Sequence, residues 1–99
     1  MRNQLQLTAT VAREEDLRYT PAGLPVLQIW LSHQSRQTQS DIERDVSFEM
    51  QAVLIGESAE RLAGKLINQT VDISGFIAQR SLRNQRLVLH IESIEWNKD

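Results

Sequence analysis

The segment LQLTATV at residues 5–11 decides the fold class, because apolar residues occupy every second position in it. The odd-numbered residues are Leu, Leu, Ala and Val, whereas the even-numbered residues are Gln, Thr and Thr. Successive side chains of a β-strand point to opposite faces, so a period of two collects the apolar side chains on one face. The segment therefore predicts a strand that buries one face and exposes the other.

A similar alternation recurs further along the chain. It predicts strands at residues 25–33, 46–54, 71–77 and 87–91, each with one predominantly apolar face. Residues 20–23, TPAG, predict a turn between the first two strands, because proline fixes φ and glycine permits a positive φ. Gly75 lies within the fourth strand, where a missing side chain favours a bend or a bulge.

Two segments connect these strands. A short helical turn is predicted at residues 58–63, between the third and fourth strands, with Ser58 as its N-cap. Residues 34–45, QSRQTQSDIERD, contain one apolar residue, Ile42, and predict a long exposed loop. Five strands, one helical turn and no strand–helix–strand rhythm predict an all-β OB-fold, a five-stranded Greek-key barrel. A β-sandwich fragment or an SH3-like barrel would show similar patterning.

Composition limits the size and the class of the protein. With 99 residues, of which 40% are hydrophobic, the chain can bury one core, and we expect a single domain over residues 1–99. It has no cysteine, no signal-peptide pattern and no apolar run near the ~18 residues that span a bilayer. We therefore expect a soluble cytoplasmic protein without disulfides and without membrane association.

Residues that could perform catalysis or bind a metal are scarce. The only histidines are His33 and His90, and no known nucleophile or zinc motif is present. Asp41, Glu43 and Asp45 alternate in the predicted loop but lack the glycine and terminal glutamate of a calcium loop. We therefore predict a protein that is not an enzyme and that uses no metal or cofactor, with both histidines on the surface.

Positive charge is local. The chain carries 11 Lys and Arg against 13 Asp and Glu, a net charge of −2. Residues 79–87, QRSLRNQRL, nevertheless contain Arg80, Arg83 and Arg86 and no acid. These residues fall at the predicted hairpin between the fourth and fifth strands, which in an OB barrel flanks the groove for single-stranded nucleic acid. The segment favours phosphate binding, although a solubilising hairpin tip has the same composition.

Single-strand binders also stack bases on aromatic rings. Trp30 is predicted to lie on the face of the second strand opposite Leu27, Ile29 and Leu31, so it could stack on a base or pack against a neighbour. Phe48 and Phe76 are predicted to be packed in the interior.

Several motifs resemble those of primosomal replication protein N, the PriB family. They are N-x-L-x-L-x-x-T-V at residues 3–11, T-P-x-G-x-P at residues 20–25 and Q-x-x-L-x-H at residues 28–33. V-x-I-x-G-F-I at residues 71–77 and LVLH at residues 87–90 are also similar. The resemblance covers nearly the whole chain and lies at turn and core positions.

This resemblance implies an OB-fold homodimer that binds single-stranded DNA without catalysis and assists the PriA helicase and other primosome proteins in replication restart. The chain ends soon after the fifth predicted strand, and we expect the restart factor rather than the general coating protein with its long acidic tail. The DNA-binding residues expected from composition and resemblance together are Arg13, Arg18, Trp30, Arg36, Arg44, Ser47, Arg80, Arg83 and Arg86.

Two departures from the family pattern weaken the expected DNA site. Ile42 and Ser47 stand where the family carries aromatic residues, and the basic hairpin is rich in arginine rather than lysine. We therefore expect weaker and more electrostatic DNA binding, with a larger role for protein partners. The alternative is an OB-fold adaptor that binds proteins and has weak or no affinity for DNA. The first strand, residues 5–11, is the predicted dimer edge.

Overall fold

The segments in which apolar and polar residues alternate form long strands. The structure is a computed structural model that describes residues 1–98. The elements are β1 (Leu5–Glu14), β2 (Arg18–Tyr19), β3 (Pro25–Gln39), β4 (Ile42–Ile55), α1 (Glu57–Leu62), β5 (Thr70–Gln79) and β6 (Leu87–Trp96). All five predicted strands and the short helix are present, and the strands extend beyond their predicted ends.

The sheet closes into a barrel because β1 pairs with a strand on each side. The strand order is β1-β5-β6-β4-β3-β2, and an additional pairing of β1 with β3 completes the ring. The two-residue strand β2 pairs only with β3, at Val26 and Pro25, and lies outside the ring. The five-stranded OB-fold barrel is therefore confirmed, with the helix between the third and fourth of its five main strands.

The barrel interior is filled by the apolar faces that the alternation predicts. Leu27, Ile29 and Leu31 of β3 are completely buried, and they face Leu54 and Ala52 of the adjacent strand β4. Helix α1 covers one end of the barrel with buried Ala59 and Leu62. Since each buried CH₂ stabilises the fold by about 0.8 kcal/mol, this interior supplies the main driving force for folding.

The predicted loop at residues 34–45 is wrong. β3 continues to Gln39 and β4 begins at Ile42, so these residues form a long hairpin that extends from the barrel. Its turn consists of Ser40 and Asp41, with φ of 52° and 63°. A two-residue turn with both φ positive matches the twist of paired strands. Backbone pairing and this turn form the hairpin, although its polar side chains contribute no core.

An irregularity is present at the position expected for Gly75, but the extra residue is Glu92 on β6 and not a residue of the fourth predicted strand. The register between β5 and β6 shifts at Ser74 and Gly75. A Cβ atom at Gly75 would lie 1.9 Å from the carbonyl oxygen of His90, so no larger residue fits without movement of the backbone. Gly75 thus permits β6 to approach β5 closely.

The expected N-cap of the helix is wrong. Helix α1 begins at Glu57, its N-cap is Gly56 with φ of 100°, and no side chain caps it. Ser58 lies within the first turn of the helix. A glycine accepts this positive φ at little cost, and the chain can therefore turn sharply from β4 into the helix.

Within residues 1–98, no helix is long and apolar enough to cross a membrane. The same part of the chain contains no group of three or more His, Asp or Glu residues arranged to hold a metal ion.

Candidate nucleic-acid interface

Trp30 projects from the outer face of β3 and is covered on one side by Arg13. The guanidinium carbon Cζ of Arg13 lies 3.9 Å from the centroid of the indole ring. The pairing of β1 with β3 shifts register between Val11 and Arg13, and this irregularity places Arg13 opposite Trp30. The arrangement is a cation–π contact, which holds the indole ring and keeps a positive charge beside it.

Gln51 lies across from Trp30 on β4 and connects Trp30 to the arginine-rich segment at residues 80–86. Its side chain is 6% exposed, and its amide nitrogen donates a hydrogen bond to Oε1 of Gln28. Its amide oxygen accepts a hydrogen bond from Nη1 of Arg80 at 3.3 Å. Arg13, Trp30, Gln51 and Arg80 therefore form one continuous row on the outer face, hereafter the outer row.

An apolar groove opens beside this row where β4 and β6 separate. The two strands pair only at Ala52 and Val53 of β4. Beyond that point lies a groove of about 580 Å³, and its lining residues include Trp30, Phe48, Met50, Ile77, Arg86 and Leu87. An apolar groove with a basic residue at its margin can accept a flat ring while its charge contacts an anion.

Residues 80–86 form an exposed and ordered turn, hereafter the arginine loop. The backbone nitrogen of Arg80 donates to the carbonyl oxygen of Arg86 at 2.8 Å. Asn84 accepts from the backbone of Arg86 at 3.0 Å through its side-chain oxygen. Arg80, Arg83 and Arg86 form no ion pair with any carboxylate of residues 1–98, so their charges are available to an external anion.

Arg36 and Arg44 lie on the long hairpin of residues 34–45, hereafter the distal hairpin, away from the outer row. Arg36 is six residues beyond Trp30 along β3, a separation of about 20 Å. Its guanidinium group is paired with Asp45 at 2.8 Å and with Glu43 at 2.9 Å. Arg44 donates to the amide oxygen of Gln39 at 3.0 Å. Two carboxylates thus neutralise Arg36 within the hairpin.

Two other predicted site residues also lie apart from the outer row. Ser47 is exposed on the hairpin, opposite Gln34. Arg18 is exposed in β2 and lies 3.9 Å from the carboxylate of Glu15. The structure therefore brings together Arg13, Trp30, Arg80 and Arg86, with Arg83 on the same loop, and leaves Arg18, Arg36, Arg44 and Ser47 elsewhere.

The predicted burial of Phe48 and Phe76 is wrong. These side chains are 39% and 37% exposed, and each stacks on a histidine, His33 and His90 respectively, with ring centroids 4.9 Å apart. Phe48 lies on the same face of β4 as the buried residues Ala52 and Leu54. It is exposed because β4 at this point extends beyond the end of the barrel. Phe76 lies at an even position of β5, whereas the inward positions are odd, so the alternation itself could have identified it as exposed.

His33 is half-buried and joins two strands. Its Nδ1 lies 2.7 Å from the carbonyl oxygen of Thr8 on β1, and its Nε2 lies 2.8 Å from Oγ of Ser35. Because a carbonyl oxygen can only accept, Nδ1 carries the proton and donates. Both ring nitrogens therefore have protein partners, and this histidine has a structural role.

Comparisons with known proteins identify the relatives of this chain. Residues 3–93 match a family described as another single-strand binding protein family. The replication restart protein PriB of Nitrosomonas europaea is 39% identical over 90 residues, covering 91% of this chain and 83% of that protein. The PriB protein of Neisseria meningitidis serogroup B is 36% identical over 93 residues, covering 94% and 92%.

Solved structures of PriB and of a single-stranded DNA binding protein have the same fold as this chain. The PriB structure from Ralstonia solanacearum superposes with a TM-score of 0.87 and 34% identity, covering 98% of this chain and 99% of that chain. The single-stranded DNA binding protein of Thermus aquaticus superposes with a TM-score of 0.78 and 28% identity, covering 98% of this chain and 50% of that chain. The chain therefore belongs to the single-strand binding protein family and, within it, to the PriB replication restart proteins.

Proposed function

We propose that this protein is a non-catalytic, single-domain accessory of cytoplasmic replication restart that binds single-stranded DNA through the outer row and the arginine loop. Membership of a single-strand binding family supports the ligand, and relatives that are named replication restart proteins support the process. The observation that carries the proposal is the position of Trp30 under Arg13 at the edge of an apolar groove, with Arg80 bonded to Gln51, the register partner of Trp30.

Binding of this kind needs no chemical step. A base that stacks on Trp30 contributes about 1 to 3 kcal/mol whatever its identity, because every base has a π-face. The guanidinium group of Arg13 covers one face of the indole. A base therefore either stacks on the other face of the indole or displaces the guanidinium group from the covered face. Arg80, Arg83 and Arg86 contact phosphates, and each contact releases counterions from the strand.

The charge distribution predicts moderate affinity and a modest salt dependence, which revises the more electrostatic binding expected from the sequence. Arg36 is neutralised by Glu43 and Asp45, so the distal hairpin offers less positive charge than its sequence suggests. For single strands the slope of log K against log salt is about −0.7 per phosphate contact. The three residues of the arginine loop therefore predict a slope of about −2.

A titration of fluorescein-labelled oligo-dT tests the proposal. Anisotropy is followed together with tryptophan emission at low and near-physiological salt. We expect saturable binding that weakens with salt and quenches tryptophan fluorescence, because Trp30 lies in the site. Absence of binding at low salt would overturn the proposal. The variant in which Arg80, Arg83 and Arg86 are all alanine should lose most of the affinity and most of the salt slope.

We also propose that the protein is a homodimer that pairs through β1. Residues Leu5 to Thr10 pair with β5 on one side, whereas pairing with β3 begins only at Thr10. The other edge of residues 5–9 thus has no paired strand within residues 1–98, and an unpaired edge favours addition of a strand from a second copy. Light scattering of the purified protein tests this, and a monomer mass at micromolar concentration would refute it.

An OB-fold adaptor that stimulates the PriA helicase mainly through protein contacts is the second candidate. It is favoured by the internal pairing of Arg36 and by Glu49, an acid that lines the apolar groove. The triple arginine variant separates the two functions in a helicase assay. If DNA binding is the route, stimulation falls with DNA affinity, whereas an adaptor retains stimulation when DNA affinity is lost.

A further inference from the structure

We propose that Phe76 and His90 form a second stacking site for a nucleobase of single-stranded DNA, separate from Trp30. This inference rests on the proposed function and extends it to the outer face of β5 and β6. The rings of the two residues are almost parallel, with an interplanar angle of 3° and centroids 4.9 Å apart. The Phe76 side chain is 37% exposed, so part of the ring is accessible to a ligand.

The backbone holds this pair in place. Phe76 and His90 are register partners in the antiparallel pair of β5 and β6, so their side chains leave the sheet side by side on the same face. The register shift between Ser74 and Gly75 lies directly before Phe76, and the absence of a side chain at Gly75 lets the His90 carbonyl oxygen approach β5 closely there. A stacking surface on paired strands is ordered before the ligand arrives, which lowers the entropy cost of binding.

A continuous series of side chains joins this pair to the outer row. His90 is the register partner of Val53 on β4, and Val53 is the partner of Gln28 on β3. Gln28 lies two residues before Trp30, so the two side chains share a face of β3. From β3 to β5 there are three strand spacings, about 14 Å across the surface.

The chemistry along this path suits a nucleic acid strand. Val53 is buried, so its side chain does not protrude between the two aromatic sites. Gln51 accepts a hydrogen bond from Arg80 and so holds a positive charge near this path. A single OB fold engages about 4 to 16 nucleotides, so a strand stacked on Trp30 has enough length to reach Phe76 around the barrel.

The test measures oligo-dT affinity for Phe76→Ala and for the matched Phe76→Leu variant, which keeps apolar bulk but has no ring. Ile67→Ala is the control, because Ile67 is an exposed apolar residue of similar accessibility, 41%, in the connection before β5. We expect both Phe76 variants to bind about five- to a hundredfold more weakly, with an unchanged salt slope, and the control to bind as the parent does.

The outcomes separate this inference from the proposed function. If the parent protein binds DNA and the arginine-loop variant does not, but both Phe76 variants bind normally, the second site is refuted and the proposed function stands. If the parent protein does not bind DNA, the proposed function itself fails. A change in molecular mass of either Phe76 variant by light scattering would assign Phe76 to a subunit interface and overturn the inference.

Photocrosslinking gives an independent measurement that does not depend on the folding of a variant. The parent protein is irradiated in complex with an oligonucleotide that contains 5-bromodeoxyuridine, and crosslinked peptides are identified by mass spectrometry. Crosslinks in residues 75–79 or 87–91 support the second site. Crosslinks confined to Trp30 and the arginine loop contradict it.

Discussion

The Asn3 side chain makes two reciprocal hydrogen bonds with the backbone of Ile77. Its Nδ2 donates to the Ile77 carbonyl oxygen at 2.7 Å, and its Oδ1 accepts from the Ile77 nitrogen at 3.0 Å. An asparagine amide has the same donor and acceptor as a peptide group, so Asn3 acts as an additional strand residue beside β5. This pair anchors the chain segment that leads into β1.

Replacing Asn3 with alanine should lower the free energy of unfolding by about 1 to 2 kcal/mol, because two hydrogen bonds are lost. Asn3→Asp keeps the acceptor but places a carboxylate oxygen against the Ile77 carbonyl oxygen, so we expect a loss at least as large as for alanine. Urea unfolding at neutral pH measures both effects. Gln4→Ala, at the adjacent exposed position, serves as the control and should change stability little. Equal stability of the Asn3→Ala and Gln4→Ala variants would contradict this role.

Gly75→Ala should destabilise the protein by about 3 kcal/mol or more, because the new Cβ would overlap the carbonyl oxygen of His90 and force the strands apart. Gly64→Ala is the matched control. Gly64 has φ of 80° but nothing within 4 Å of an added Cβ, so only the backbone strain of about 1 to 2 kcal/mol is expected. Thermal unfolding compares the two variants, and similar losses would show that the contact with His90 is unimportant.

The Thr8 hydroxyl donates to Asp72 at 2.6 Å, and this hydrogen bond, together with Asn97, holds the pKa of Asp72 below its ordinary value of 3.8. A carboxyl group whose pKa is lower in the folded state stabilises the protein above the unfolded pKa, and this stabilisation disappears as pH falls through the folded pKa. Thr8→Val should therefore lower the melting temperature at neutral pH. The difference from the parent should shrink below pH 3.8, and a constant difference at all pH values would contradict the linkage.

Trp30→Ala should weaken binding of oligo-dT by about 1 to 3 kcal/mol, since one stacked base is lost. Trp96→Phe is a useful control, because Trp96 lies at the end of β6 and is 45% exposed without lining the apolar groove. Anisotropy at constant salt measures the affinities. If the two tryptophan variants bind equally well, the outer row is not the site.

Neutralising the acids around Arg36 should strengthen DNA binding. The double variant Glu43→Gln and Asp45→Asn releases the guanidinium group from both ion pairs, and a free Arg36 can contact one more phosphate. We expect the slope of log K against log salt to become steeper by about 0.7. Arg36→Ala in the parent protein should leave the slope unchanged. A lower slope in that single variant would show that Arg36 already contacts DNA.

The five barrel strands and the faces that they bury follow from the sequence alone, whereas the strands at residues 34–39 and 42–45 do not, because their polar side chains show no alternation. Alternation depends on the local backbone, because neighbouring side chains of a strand point in opposite directions, and the residues of the core could therefore be predicted one strand at a time. The missing side chain at Gly75 and the basic character of the arginine loop are also local properties. The same alternation indicates that Phe76 points outward, although its aromatic ring suggested burial.

Which of the candidate residues lie together depends on the tertiary structure. Arg13 reaches Trp30 through an irregularity in the pairing of β1 and β3, and Gln51 meets Arg80 across 29 positions of the sequence. The pairing of Arg36 with Glu43 and Asp45 depends on strands that continue through a segment without core residues. Such contacts are set by strand register and by turn geometry between distant segments, and the period of a single strand carries no information about either.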